Sequence, residues 1–151
     1  MKAFNFSLQR LLDAKEALER VAEVRVGEAQ RKLNNGEARL ARLREQEQLQ
    51  QKSHADKLRD GELSRNDMSV RVLFVNRFDR YLEKQEEIVI KQRQSLDEAR
   101  SLLLNAMRER KSLENLKERE KSQWITDERR ADRREMDELA IARFVRQERI
   151  A

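Results

Sequence analysis

Proline and cysteine are absent from this 151-residue chain, glycine occurs three times, and aromatic residues make up only 5% of it. Without proline, nothing of that kind interrupts a long helix. Without cysteine there are no disulfides, no thiolate nucleophiles and no zinc–thiolate sites, which suits a reducing cytosol. Hydrophobic residues account for 38% against 42% charged, too little apolar volume to fill a thick core. No apolar run approaches the ~20 residues a membrane span requires. Arg10, Asp13, Lys15 and Glu16 interrupt any apolar core of a secretion signal. A soluble cytoplasmic protein is therefore expected.

What is present is charge of both signs. The net charge is +5, but acids and bases alternate, as in Lys117–Glu120 and Asp127–Glu135. Alternating signs mark solvated helix faces. High charge with low hydrophobicity also marks disordered chains, so apolar periodicity decides between disorder and a coiled coil. Leu11, Leu18, Ala22, Ala29, Leu33, Gly36, Leu40 and Leu43 step by threes, fours and sevens, which keeps one helix face against a partner. Asn34-Asn35-Gly36 has the look of a turn, yet the seam passes through it in phase, and one continuous helix is expected. Gly36 would weaken that helix by ~1 kcal/mol in return for close approach of the partner.

The ends of the helices carry signals of their own. Ser7 is the expected N-cap, with Phe6 and Leu11 as a hydrophobic staple. Lys57 and Arg59 before Asp60-Gly61 mark a helix end. Ser64-x-x-Asp67 reads as a capping box, with Leu63 and Met68 as a second staple. Phe74, Phe78, Tyr81, Ile88, Leu96, Ala99, Leu103, Ala106, Leu113, Leu116 and Trp124 form the second seam. The expected fold is all-α: an antiparallel two-helix coiled-coil hairpin forming one domain over residues 1–151. Helix one should run from about residue 7 to 59, the turn from about 60 to 64, and helix two from about 65 to 145. These are ~75 Å and ~110 Å long, so the second overhangs at the terminal end.

Folding about the turn brings together residues whose numbers add to roughly 125 by heptad logic. Leu11 then meets Leu113, Leu18 meets Met107, Ala22 meets Leu103 and Leu43 meets Leu82. Phe74 and Phe78 instead face the polar stretch Glu45–Gln51. Everything after about residue 121 lacks a partner in its own chain, since helix one has not begun. Trp124, Ile125, Met136, Leu139, Ile141, Phe144, Val145 and Ile150 lie there. An unpartnered apolar stripe marks an interaction surface; homodimerisation of the overhang and fraying are the competing readings. Trp124 is either a coiled-coil knob or an interface anchor.

Catalytic chemistry is not expected. His54 is the single histidine, and a triad needs a nucleophile, a base and an orienter. There is no phosphate loop and no HExxH. Glu86-Glu87 is an ordinary surface pair without the burial that shifts a pKa. No cofactor-binding, metal or catalytic residue is assigned.

The opening FNFSLQRLLDAKE, FDRYLEK at Phe78–Lys84 and the closing RREMDELAIARF resemble the FliJ family of the bacterial flagellar type III export apparatus. The Phe6–Glu16 string carries most of the weight. The resemblance implies a non-enzymatic coiled-coil stalk that binds the hexameric export ATPase and promotes its assembly. It also implies contact with the cytoplasmic domain of the export gate, binding of export chaperones, and attachment to the inner membrane through these partners only. Mapped onto this chain, the gate-binding patch would use Leu40, Leu43, Phe74, Phe78, Tyr81 and Leu82. Gln46 and Gln50 stand where the family would place aromatic residues. The ATPase-binding end would use Phe4, Phe6, Leu8, Trp124, Arg129, Arg130, Arg133, Arg134, Met136, Leu139 and Phe144. Two other readings compete. One is a generic homodimeric scaffold. The other is nucleic-acid binding through the arginine-rich helix, which the interleaved acids disfavour because a basic-region helix is nearly free of them.

Overall fold

The computed structural model describes residues 2–150. Helix α1 spans Gln9–Arg59 and helix α2 spans Arg65–Ile150. They pack against each other as an antiparallel hairpin, and α2 is the longer. The chain divides into two compact units, Met1–Glu19 with Ala106–Ala151, and Arg20–Asn105.

The turn follows from local chemistry. Gly61 adopts a φ of 70°, which side chains disfavour and glycine accepts. Its N–H donates to the Leu58 carbonyl (3.3 Å), and the Glu62 N–H donates to the Lys57 carbonyl (3.2 Å). This is the Schellman arrangement, and it satisfies carbonyls that the end of α1 would orphan. Helix α2 then opens with a reciprocal box. The Ser64 N–H donates to Asp67 Oδ2 (3.0 Å), and the Asp67 N–H donates to Ser64 Oγ (3.2 Å). The Ser64 backbone donor holds the Asp67 carboxyl below its ordinary pKa.

The start of α1 differs from expectation. Helix begins at Gln9, and the Leu8 carbonyl accepts from the Leu12 N–H at 2.9 Å. Leu8 therefore stands where the cap would be, and Ser7 lies one residue too early to serve. The Gln9 N–H donates to the Phe6 carbonyl at 3.1 Å instead. Phe6 is buried and fastens this end.

In unit Arg20–Asn105, Leu33, Leu40, Phe78, Leu82, Val89 and Leu96 form the core, with Val26, Ala29 and Leu43 packed against it. With Gly36, Gln85 and Gln92 counted, the steps along each helix are threes and fours, so one stripe faces the partner. Two seam positions are glutamines. Gln85 Nε2 donates to the Gly36 carbonyl at 3.1 Å, and a Cβ on Gly36 would collide with the Gln92 carboxamide. Gly36 therefore makes room for a polar layer inside a continuous helix. Outside the seam, Glu37 pairs with Arg93 (3.1 Å) and Arg44 with Glu86 (3.3 Å). Exposed pairs of this kind contribute only ~0–1 kcal/mol each, so they orient more than they stabilise.

In unit Met1–Glu19 with Ala106–Ala151, Phe6 and Leu12 are buried. Glu19 occupies a seam position and is paired with Arg110, which also reaches Glu114 at 2.8 Å. Lys15 bonds Glu109 at 2.7 Å, and Lys117 donates to Gln9 at 2.8 Å. Lys15–Glu109 and Lys117–Gln9 lie within one residue of the register expected from the sequence, whereas Glu19–Arg110, Glu37–Arg93 and Arg44–Glu86 lie four or five residues off it.

The seam itself is shifted by one residue at places. Leu11 and Leu18 were expected to line it, but they are 44% and 55% exposed, whereas Leu12 is 2% exposed and Glu19 9%. Strict stepping back from Leu33 through Ala29, Val26 and Ala22 lands on Glu19 and then Leu12. A charge in the seam hides the true phase, and Arg110 makes that charge tolerable. Likewise Tyr81 and Ile88 stand outside, and Leu82, Gln85 and Val89 are buried in their place.

Two outcomes are expected. Leu12→Ala should destabilise the protein by ~2–3 kcal/mol in urea unfolding followed by circular dichroism. Leu11→Ala should change it by no more than about 0.5 kcal/mol. The box makes a pH prediction. Because the folded Asp67 pKa is depressed, its contribution is present above the ordinary carboxylate value and is lost as pH falls through the lowered one. An NMR titration of the Asp67 carboxyl carbon should show that lowered midpoint, and Ser64→Ala should raise it.

Candidate partner-binding surfaces

The turn-side residues separate into two groups. Leu40, Phe78 and Leu82 are buried in the seam, and Leu43 packs against them. The expectation that Phe78 stands open against a polar stretch is thus corrected. Phe78 packs in the core cluster with Leu40 and Leu82, and with Gln46, Leu49, Gln50 and Phe74 it lines a groove of about 300 Å³. Phe74 is 41% exposed and Tyr81 62%, so these two face solvent. Phe74 stacks on Phe78 with centroids 5.7 Å apart and 23° between planes. The Arg71 guanidinium lies 5.8 Å from the Phe74 ring centre. Phe74 is therefore held in place from the buried side and by a cation.

Nearer the turn, Gln50, Ser53, His54, Lys57, Glu62, Leu63 and Phe74 are among the residues lining a second groove. Among the described residues, no cluster of three or more histidine, cysteine or carboxylate side chains is arranged to hold a metal ion.

At the terminal end, Trp124 is expected both among the apolar residues past the pairing and at the limit of the α2 segment, around Leu116–Trp124, that Phe4, Phe6 and Leu8 cover. The structure sets Phe4 against Trp124, with centroids 6.0 Å apart and 52° between planes. Trp124, Ile125 and Glu128 are half-buried. Residues 2–6 are not helical. Phe6 is buried and Leu8 is 37% exposed.

Beyond that contact, residues 131–150 are exposed throughout. Met136 is 69% exposed, Leu139 52% and Phe144 61%, with Ile141, Val145 and Ile150 also open. Arg129, Arg130, Arg133 and Arg134 are exposed, and none enters an ion pair among the described residues. The expected terminal-end residues therefore fall into a packed group, Phe4, Phe6 and Trp124, and a solvent-facing group that starts at Arg129.

Residues missed by sequence reasoning are the polar members of the seam: Glu19, Gln85, Gln92 and Arg110. The one signal that could have found them is unbroken three-four spacing through charged positions. None of the curated proteins matches this chain, and no solved structure does. Residues 4–149 match the family profile described as Flagellar FliJ protein. The chain belongs to the flagellar FliJ family, and that membership implies a component of the flagellar export apparatus.

Proposed function

We propose that the chain is a non-enzymatic stalk of the export apparatus whose solvent-facing C-terminal stretch docks on the hexameric export ATPase. The observation that carries this reading is the exposure of residues 131–150 with their apolar side chains. Large apolar side chains without a partner in their own chain are a marker of partner surfaces. Here Met136, Leu139 and Phe144 supply affinity. Arg129, Arg130, Arg133 and Arg134, interleaved with Asp127, Glu128, Asp132 and Glu135, supply orientation. Exposed ion pairs are individually weak, ~0–1 kcal/mol, which lets one helix meet several subunits of a ring without locking to one.

The same reading gives the turn-side surface to the export gate. Phe74 and Tyr81 are the exposed members of that group, and Phe78, in the seam with Leu40, Leu43 and Leu82, stacks on Phe74. Escort of export chaperones is supported by family membership alone. Among the described residues no helix is long and apolar enough to cross a membrane. Placement at the cytoplasmic face through partners accords with that.

The test is ATP hydrolysis by the purified export ATPase with full-length protein or with a chain ending at Arg130. That cut leaves the Phe4–Trp124 contact intact. The shortened chain should keep its helical signal and its unfolding midpoint, yet lose stimulation of the ATPase. Equal stimulation by both would return the docking contact to the packed Phe4, Phe6 and Trp124 end. Changing Arg129, Arg130, Arg133 and Arg134 together to Ala should slow association and flatten its salt dependence more than it changes dissociation.

A further inference from the structure

Helix α2 carries a second heptad stripe that the seam does not use. From Val70 it runs Val70, Phe74, Arg77, Tyr81, Lys84, Ile88 and Lys91, in unbroken steps of four and three. That spacing is the signature of a coiled-coil face. An apolar side chain recurs every seven residues at Phe74, Tyr81 and Ile88, which are 41%, 62% and 44% exposed. A cation recurs every seven residues at Arg77, Lys84 and Lys91. All three are exposed, and none is in an ion pair among the described residues. The acids of this stretch, Asp79, Glu83, Glu86 and Glu87, all occupy other positions of the repeat, and Glu86 is taken by Arg44. The stripe is bounded by Asp67, bound up in the helix cap, and by Ser95 and Glu98, which break the pattern.

We infer that this stripe receives an acidic amphipathic helix of a partner protein, as a third helix on the hairpin. Charge complementarity fixes the occupant. Each two turns of the partner would present an apolar residue to Phe74, Tyr81 or Ile88 and a carboxylate to Arg77, Lys84 or Lys91, the pattern by which flanking charges select coiled-coil partners. Phe74 is the anchor best prepared for this, being braced by Phe78 and Arg71. An anionic membrane shares the chemistry of apolar plus cationic groups. A helix lying on lipid, however, presents a broad apolar arc, whereas this stripe is one residue wide and regular over seven positions. The inference deepens the reading of Phe74 and Tyr81 as a gate contact by naming the partner's chemistry, and it rests on that reading only for the partner's identity.

The experiment uses the full chain and two fluorescent synthetic helices, one alternating leucine and glutamate in three-four spacing, the other with lysine for each glutamate. Anisotropy should show the glutamate helix binding at least about tenfold more tightly than its lysine twin, with the difference shrinking as salt rises. The variant Arg77→Glu, Lys84→Glu, Lys91→Glu changes exposed residues only and should reverse the preference. Tyr81→Ala should weaken binding about tenfold. Equal binding of both helices, or an unreversed preference in the triple variant, would overturn the inference. So would helix binding that does not discriminate, together with co-sedimentation on phosphatidylcholine–phosphatidylglycerol vesicles that the triple variant loses; that result would assign the stripe to lipid. If the glutamate helix binds as expected but purified export-gate domain does not compete with it, the gate reading fails and this one stands.

Discussion

Everything in this protein depends on a seam one side chain wide. With 42% of its residues charged, the chain has only enough apolar surface for a stripe on each helix, and each stripe is useful only if it faces the other. The three-four spacing of Leu33, Leu40, Phe78, Leu82, Val89 and Leu96 supplies that. A thin seam has little redundancy. A single position such as Leu12 carries a large share of local burial, while Leu11, one residue away, is 44% exposed.

A seam of leucine and valine alone slides easily, because neighbouring registers bury similar apolar area. The polar layers give this one a definite register. Gln85 reaches the Gly36 carbonyl, and Glu19 meets Arg110. Each finds its partner in one register and loses it in the next, leaving a buried polar group unsatisfied. Gln92 Oε1 is buried without a protein partner, so even this layer is not fully satisfied. Polar seam residues of this kind cost stability and specify alignment, as a buried asparagine does in other coiled coils. Gly36 belongs to the same device, since the space it leaves is where the Gln92 carboxamide lies.

What the seam leaves outside is what partners can read. On α2 the apolar residues off the seam include the regular stripe from Val70 to Lys91 and the open stretch after Arg130. Both combine apolar side chains with arginine or lysine. Burial of the apolar members supplies affinity, and the cations govern approach and choice of partner.

The amino-acid sequence by itself determined the two helices, the turn and the approximate pairing. The absence of proline, the Ser64–Asp67 box, Gly61 and the spacing of leucines act within a few residues of one another, and local physics suffices for them. It also determined that residues late in α2 would carry unpaired apolar groups. Other features were decided only by tertiary structure. Glu19 is a seam residue because Arg110 stands across from it. Phe78 is buried because it joins Leu40 and Leu82 in the core cluster. Trp124 is covered because Phe4, ahead of α1, lies against it. In each case the deciding partner is distant in sequence, and what settles the matter is which side chain lies opposite rather than what the residue is.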